Sequence, residues 1–247
     1  MVDTLVLAVA AFGAGVLNTV AGGGTFLTFP ALVYAGLPVV AANATSTLVV
    51  FPGYLAGAAG FRREIAAMER ALLLRTALAG VAGGLVGSLL LLVSSNEAFS
   101  AVVPFLLGAA TLIFAFGDRV QAWARAHRVS LMQGPLGTAL VSVYGGYFNG
   151  GLGIMLLALF SLQGMRDINA MNGLKMGLSA LLSVVSVATF AAAGLVDWPA
   201  AAVMMVASTA GGYLGAPLAR ALPRVVVRGV VILVGITMSV IFLARLL

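Results

Sequence analysis

Cysteine is absent from this chain of 247 residues, histidine occurs once, and charged residues make up only 8%. Without cysteine there can be no disulfide and no thiolate metal site. The single histidine, His127, lies in the polar stretch 116–130, where no second ligand-type residue has suitable spacing. We therefore expect a solvated loop histidine, no metal site and no cofactor.

The scarcity of charge excludes an ordinary soluble domain, in which about 25% of residues are charged. Hydrophobic residues make up 62% of the chain. A membrane-spanning helix needs ~20 apolar residues, so the chain has room for roughly seven to ten crossings and little else. We predict an all-α polytopic membrane protein surrounded by lipid. The net charge of +6 comes mostly from arginines in short loops, which is an orientation signal rather than a sign of nucleic-acid binding.

Carboxylates are few as well, since Asp and Glu together number seven. They lie almost only in predicted loops. An enzyme acting at membrane depth would need a nucleophile–base pair or metal ligands. We therefore expect no catalytic residue, and we expect that the protein is not an enzyme.

The apolar segments fall into two similar sets. They run over 4–20, 25–36, 42–59, 67–93, 98–116, 132–148, 152–163, 168–193, 199–218 and 226–246. "GAGVLNTVAGGG" (13–24) resembles "GGYFNGGLG" (145–153), "GLPVVAANATST" (36–47) aligns with "GMRDINAMNGLK" (164–175), and "AGGLVGSLL" (82–90) aligns with "AGGYLGAPL" (210–218). These matches predict two copies of one unit, at 1–120 and 131–247, joined by a cytoplasmic linker at 121–130.

The arginines indicate how the two copies are oriented, because cytoplasmic loops are enriched in Lys and Arg. All three basic loops, at 61–70, 117–130 and 220–228, lie inside only if residues 4–36 form a hairpin of two short helices. One continuous helix over 4–36 would be ~50 Å long, against a ~30 Å hydrocarbon core. We therefore predict inverted-topology repeats, each a broken-helix hairpin plus three transmembrane helices, with both termini outside.

Each hairpin is interrupted by a glycine cluster that follows an asparagine. Broken backbone at membrane depth is tolerated only inside the protein or beside a watery cavity. Inverted repeats with interrupted helices are typical of secondary transporters, in which one half rocks against the other around a central site. The start of the helix after each break presents a positive dipole end, which suits an anion. The sequence leaves open an alternative to an anion site, in which these glycines only allow close helix packing.

Lys175 supplies a charge well inside an apolar helix, where a charge is costly and by default functional. The alternative is that its long side chain reaches back to the membrane interface. The repeat aligns Lys175 with Thr47, which leaves one positive charge at this point and suits a small anion. The predicted substrate-binding residues are Asn18, Thr19, Gly22, Gly23, Gly24, Thr25, Asn43, Thr45, Ser46, Asn149, Gly150, Gly151, Gly153, Asn172 and Lys175.

At these residues the sequence resembles the sulfite exporter TauE/SafE family of bacterial membrane proteins. The resemblance rests on "GVLNTVAGGGTFLTFPALVYAGLPVVAANATSTL" (15–48) and "GLVDWPAAAVMMVASTAGGYLGAPLARAL" (194–222), and it covers nearly the whole chain. The second glycine cluster departs from the uninterrupted run of the first, since it reads "NGGLG".

The resemblance implies a secondary transporter of the inner membrane that exports sulfite or another small sulfur-containing anion, such as an organosulfonate. Two alternatives stay open: an anion channel, in which the glycine breaks form a filter, and a permease for another small anion. The anion, any coupling ion and a homodimeric state are left undetermined by the sequence.

The predicted topology can be tested with single cysteines, because the chain has none of its own. Cysteines placed at Ser95 and Arg125 should react with an impermeant maleimide from opposite sides of the membrane. Labelling of both positions from the same side would exclude the inverted arrangement.

Overall fold

The computed structural model describes residues 2–20, 23–117, 119, 122, 123, 132, 134–221 and 224–244. Its main helices are α1 (Val2–Val20), α2 (Thr25–Tyr34), α3 (Val39–Gly60), α4 (Arg62–Ala66), α5 (Arg70–Val93), α6 (Asn96–Ala115), α7 (Pro135–Tyr147), α8 (Leu152–Leu162), α9 (Ile168–Ala192), α10 (Trp198–Ala221) and α11 (Arg224–Ala244). Four of the helices in these ranges are long and apolar enough to cross a membrane: α3, α5, α6 and α9. The predicted all-α polytopic architecture is confirmed.

Both halves begin with an interrupted pair of helices that folds back on itself. In the first pair, Gly13 of α1 lies against Leu27 of α2, and Ala14 lies against Gly24, so the two helices are antiparallel. In the second pair, the Gln163 side chain at the end of α8 donates to Thr138 Oγ1 near the start of α7, at 3.3 Å. The two hairpins expected from the sequence are therefore present.

Two details of the prediction were wrong. The helix α1 has 19 residues and is not the short helix that we expected, because no breaker precedes position 21. Its counterpart α7 has 13 residues. The stretch 61–70 was predicted to be a loop, yet it contains α4. Phe61 and Ile65 pack there against Gly173 of α9, where the missing side chain leaves room.

The halves are interlocked, because the first helix of each hairpin packs along a long helix of the other half. The helix α1 lies against α10, and α7 lies against α5. We call these contacts the α1–α10 seam and the α5–α7 seam. At the first, Gly15 lies against the backbone of Gly212, and at the second, Gly146 lies against the backbone of Gly84. Small residues at such contacts let membrane helices approach closely.

Helix directions agree with the predicted inversion of the repeats. The helices α3 and α9 are repeat equivalents, and Gly57 lies against Met176 while Phe61 lies against Gly173, so they are antiparallel. The equivalents α6 and α11 are antiparallel too, with Gly108 near Ser239 and Thr111 near Gly235. Equivalent helices would be parallel if the repeats had the same orientation. Their orientation in a membrane stays a prediction.

Aromatic rings hold the centre of the molecule together. Phe29 of α2 meets Phe148, at the end of α7, edge to face with ring centroids 5.7 Å apart. It also stacks on Phe242 of α11 at 5.7 Å and contacts Phe99 of α6 edge to face at 6.5 Å. Such pairs stabilise by ~0.5–1.5 kcal/mol each beyond the burial of their area. This cluster ties α2 to the region of the second break.

The α5–α7 seam can be tested with Gly146→Val. An added Cβ would lie within 3.0 Å of the Gly84 backbone, which cannot rotate away as a side chain can. We expect a loss of roughly 1–3 kcal/mol or more in stability, as for other overpacked sites, and hence a lower thermal midpoint in detergent.

Gly229→Val is the matched control, since nothing lies within 4 Å of a Cβ at that position of α11. Equal thermal midpoints for the two variants would show that the seam is not tightly packed.

Candidate functional site

At the first break, the side chain of Asn18 hydrogen-bonds to the backbone on the other side of the interruption. Asn18 lies in the last turn of α1, and its Oδ1 accepts a hydrogen bond from the Gly24 backbone N–H at 2.8 Å. Since an N–H can only donate, this bond determines which end of the amide is the oxygen. The Asn18 Nδ2 group is buried and has no hydrogen-bond partner among the described residues. The break therefore holds an unused N–H donor inside the protein.

A cavity of about 490 Å³ lies next to Asn18, between α1, α3 and α10. Its size is within the ~300–1,000 Å³ range of small-molecule sites. Apolar groups form most of its wall, and hydroxyl and amide groups interrupt them. Besides Asn18, the lining includes Pro52, Gly53, Tyr54, Met176, Ser208 and Thr209.

The second break depends on glycine for its backbone shape. Gly151 has φ 73°, in the left-handed region that residues other than glycine rarely adopt. The preceding carbonyl, of Gly150, accepts a hydrogen bond from the Tyr144 hydroxyl. Gly151 also lies near the ring of Phe26, at the start of α2. The two breaks, far apart in sequence, are therefore neighbours.

Tyr54 links the two breaks directly. Its hydroxyl donates to Asn149 Oδ1 at 3.3 Å, and the Thr25 side chain interacts with the same hydroxyl. The tyrosine is 3% exposed, and its ring forms part of the cavity wall. Sequence reasoning missed it, because one tyrosine in an apolar segment carries no signal. The only unusual feature of the sequence next to Tyr54 is the adjacent pair Pro52 and Gly53.

Lys175 lies apart from this cavity. It is 6% exposed, and its Nζ donates to Asn172 Oδ1 at 2.9 Å. The next residue, Met176, lines the cavity, whereas Lys175 does not. The side chain is buried among protein atoms, and its role in binding stays a prediction. In the part of the chain that is described, no carboxylate pairs with its charge.

The predicted residues of α3 connect helices and do not line the cavity. Asn43 Nδ2 donates to the Tyr147 carbonyl at 2.9 Å. Thr45 Oγ1 accepts from the Asp197 N–H at 3.0 Å, and Ser46 Oγ lies 2.6 Å from Thr28 Oγ1. These bonds hold α3 against α7, the segment before α10, and α2, respectively.

The other predicted residues surround the breaks or fall outside the description. Gly23, Gly24, Thr25, Asn149, Gly150, Gly151 and Gly153 are all buried there. Gly22 and the side chain of Thr19 lie outside the described residues. Over the described ranges, no group of His, Cys, Asp and Glu residues could hold a metal ion.

Comparison with known proteins agrees with this architecture. The family model described as "Sulfite exporter TauE/SafE" matches residues 7–242. A "Probable membrane transporter protein" of Haemophilus influenzae is 30% identical over 92% of this chain and 89% of its own length. The "Probable membrane transporter protein YfcA" of Escherichia coli K12 is 28% identical over 97% of this chain and 90% of its own length. No solved structure matches the chain significantly.

The helical architecture, the similarity to named membrane transporters over nearly their whole length and the family match together identify a multi-pass membrane transporter. The chain belongs to the sulfite exporter TauE/SafE family.

Proposed function

We propose that this transporter exports sulfite or a small organosulfonate across the inner membrane by alternating access. The observation that carries the proposal is the unused N–H donor of Asn18, buried at the first break beside a cavity of about 490 Å³. A buried donor without a partner costs free energy. A ligand that accepts hydrogen bonds would recover it.

The charges near the breaks favour an anion. The helices α2 and α8 both begin at the breaks, and a helix start carries a partial positive charge that attracts anions. Away from the cavity, Lys175 adds a buried positive charge whose Nζ donates a hydrogen bond to Asn172. Among the described residues that line the cavity there is no carboxylate. Sulfonate and sulfite oxygens accept several hydrogen bonds, and the apolar part of the wall suits the carbon chain of an organosulfonate.

The contacts between the two halves restrict how the protein can move during transport. Rocking one sequence half against the other would break the α1–α10 and α5–α7 seams, in which backbones are in contact. A group of α1, α2, α3 and α10 moving against a group of α5, α7, α8 and α9 would keep both seams intact. These groups meet mainly where α3 packs on α9, beside the cavity.

Export needs no coupling ion under this proposal. Moving one negative charge outward across ~100 mV, inside negative, gains ~2.3 kcal/mol. The membrane potential therefore drives export, and the described part of the cavity wall, which has no carboxylate, is consistent with this.

Transport can be measured in proteoliposomes, with sulfite, an organosulfonate, sulfate and chloride as a panel. Saturable uptake with counterflow is expected of a carrier, whereas a channel gives no counterflow. Asn18→Asp keeps an oxygen for the Gly24 N–H and removes the free donor. A hydrogen bond to a charged group contributes ~1.5–3 kcal/mol, so affinity for the transported anion should fall roughly 10- to 150-fold.

The matched control is Asn169→Asp, which makes the same change at an exposed position near the start of α9. Equal affinity in both variants and the wild type would place the anion elsewhere.

Lys175→Met tests the proposed role of the buried charge. It keeps the apolar stem and removes the ammonium, and we expect a similar loss in affinity, roughly 10- to 150-fold. Arg75→Met removes a positive charge from an exposed position of α5 and should leave affinity unchanged. If Lys175→Met changes only the thermal midpoint, the lysine is structural and the helix starts bind the anion without it.

A further inference from the structure

Tyr54 separates the cavity from the second break. One side of its ring forms part of the cavity wall, while its hydroxyl reaches Asn149, which precedes the second glycine cluster, at 3.3 Å. The tyrosine is 3% exposed, so its hydroxyl has little access to water. Tyr54 therefore contacts both the cavity and the second break.

The helix is weakened directly before Tyr54. Pro52 lies inside α3, where it lacks an N–H for the helical hydrogen bond and crowds the carbonyl one turn earlier. Gly53 follows, and glycine has the lowest helix propensity after proline. Space is open beside it, because the nearest atom to an added Cβ is Asn18 Nδ2 at 3.9 Å. Sharp helix bends occur at such prolines.

The second repeat has no such arrangement. Its equivalents of Pro52, Gly53 and Tyr54 are Ala180, Leu181 and Leu182. Leu182 lies against Gly84 of α5, and Leu178 lies against Gly80, so these leucines fill that helix contact. Pro52, Gly53 and Tyr54 therefore have no counterparts at the equivalent positions of the second half.

We infer that Tyr54 is the gate between the Asn18 cavity and the second break, and that α3 bends at Pro52–Gly53 to open it. With the hydroxyl on Asn149, the cavity is closed toward the second break. Bending withdraws the hydroxyl, frees the Asn149 oxygen and opens the cavity toward the second break, so that the anion passes from the Asn18 donor to the start of α8. This inference rests on the proposed transport function for its purpose, but its geometry can be tested without any substrate.

Gly53→Ala tests the hinge. The added methyl group fits at 3.9 Å from its nearest neighbour, and alanine favours the straight helix. We expect a thermal midpoint at or above that of the wild type and a transport rate lower by roughly five- to tenfold.

Gly60→Ala is the matched control at the end of the same helix, where an added Cβ meets nothing within 4 Å. It should transport at the wild-type rate. A wild-type rate in Gly53→Ala would overturn the hinge.

Tyr54→Phe tests the gate without a substrate. A single cysteine at Ser208, a buried residue of the cavity wall, is labelled with an impermeant maleimide in right-side-out and inverted vesicles. The wild-type background should react from one side only. Loss of the Tyr54 hydroxyl should permit labelling from both sides, whereas Tyr34→Phe, at an exposed end of α2, should not.

The two readouts separate the failure of the gate from the failure of the proposed function. One-sided labelling in Tyr54→Phe overturns the gate, even if the protein exports sulfite. Two-sided labelling in a protein that transports none of the tested anions keeps the gate and overturns the proposed function.

Discussion

The rest of the structure depends on the need to satisfy backbone groups where helices are interrupted inside an apolar molecule. An unsatisfied N–H or carbonyl in hydrocarbon costs several kcal/mol. Asn18 meets this need at the first break through Gly24, and Tyr144 meets it at the second through Gly150. Both breaks are consequently enclosed by protein. The aromatic cluster around Phe29 and the glycine seams provide that enclosure.

Because both halves enclose the breaks, the contacts between the halves limit how the protein can move. Each hairpin packs along a helix of the other half, so neither half has a complete core of its own. A movement that separated the halves would expose the glycine backbones of both seams. The α3–α9 contact is different, since Met176 meets Gly57 there through a flexible side chain. A change in packing at Gly57 therefore needs only side-chain movement, and the cavity lies beside this contact.

The two repeats have diverged into different roles around a shared centre. The first contributes the cavity wall, the unused Asn18 donor and the weakened stretch at Pro52–Gly53. The second contributes Asn149 and a buried lysine where the first has Thr47. Leucines fill the corresponding positions of α9, because those positions have only to pack.

Hydropathy, glycine clusters and basic loops are local signals. From them the sequence predicted the membrane class, the interrupted hairpins and the bounds of every main helix except α4 to within three residues. It also singled out Asn18 and Asn149, because polar residues next to breaks are conspicuous in an apolar chain. Only the tertiary structure decided that Tyr54 joins the breaks, that Thr45 and Ser46 bond to neighbouring segments, and that Lys175 lies off the Asn18 cavity. Those outcomes depend on which helices meet and on how each is rotated about its axis. A run of uniformly apolar residues carries no periodicity from which that rotation could be predicted.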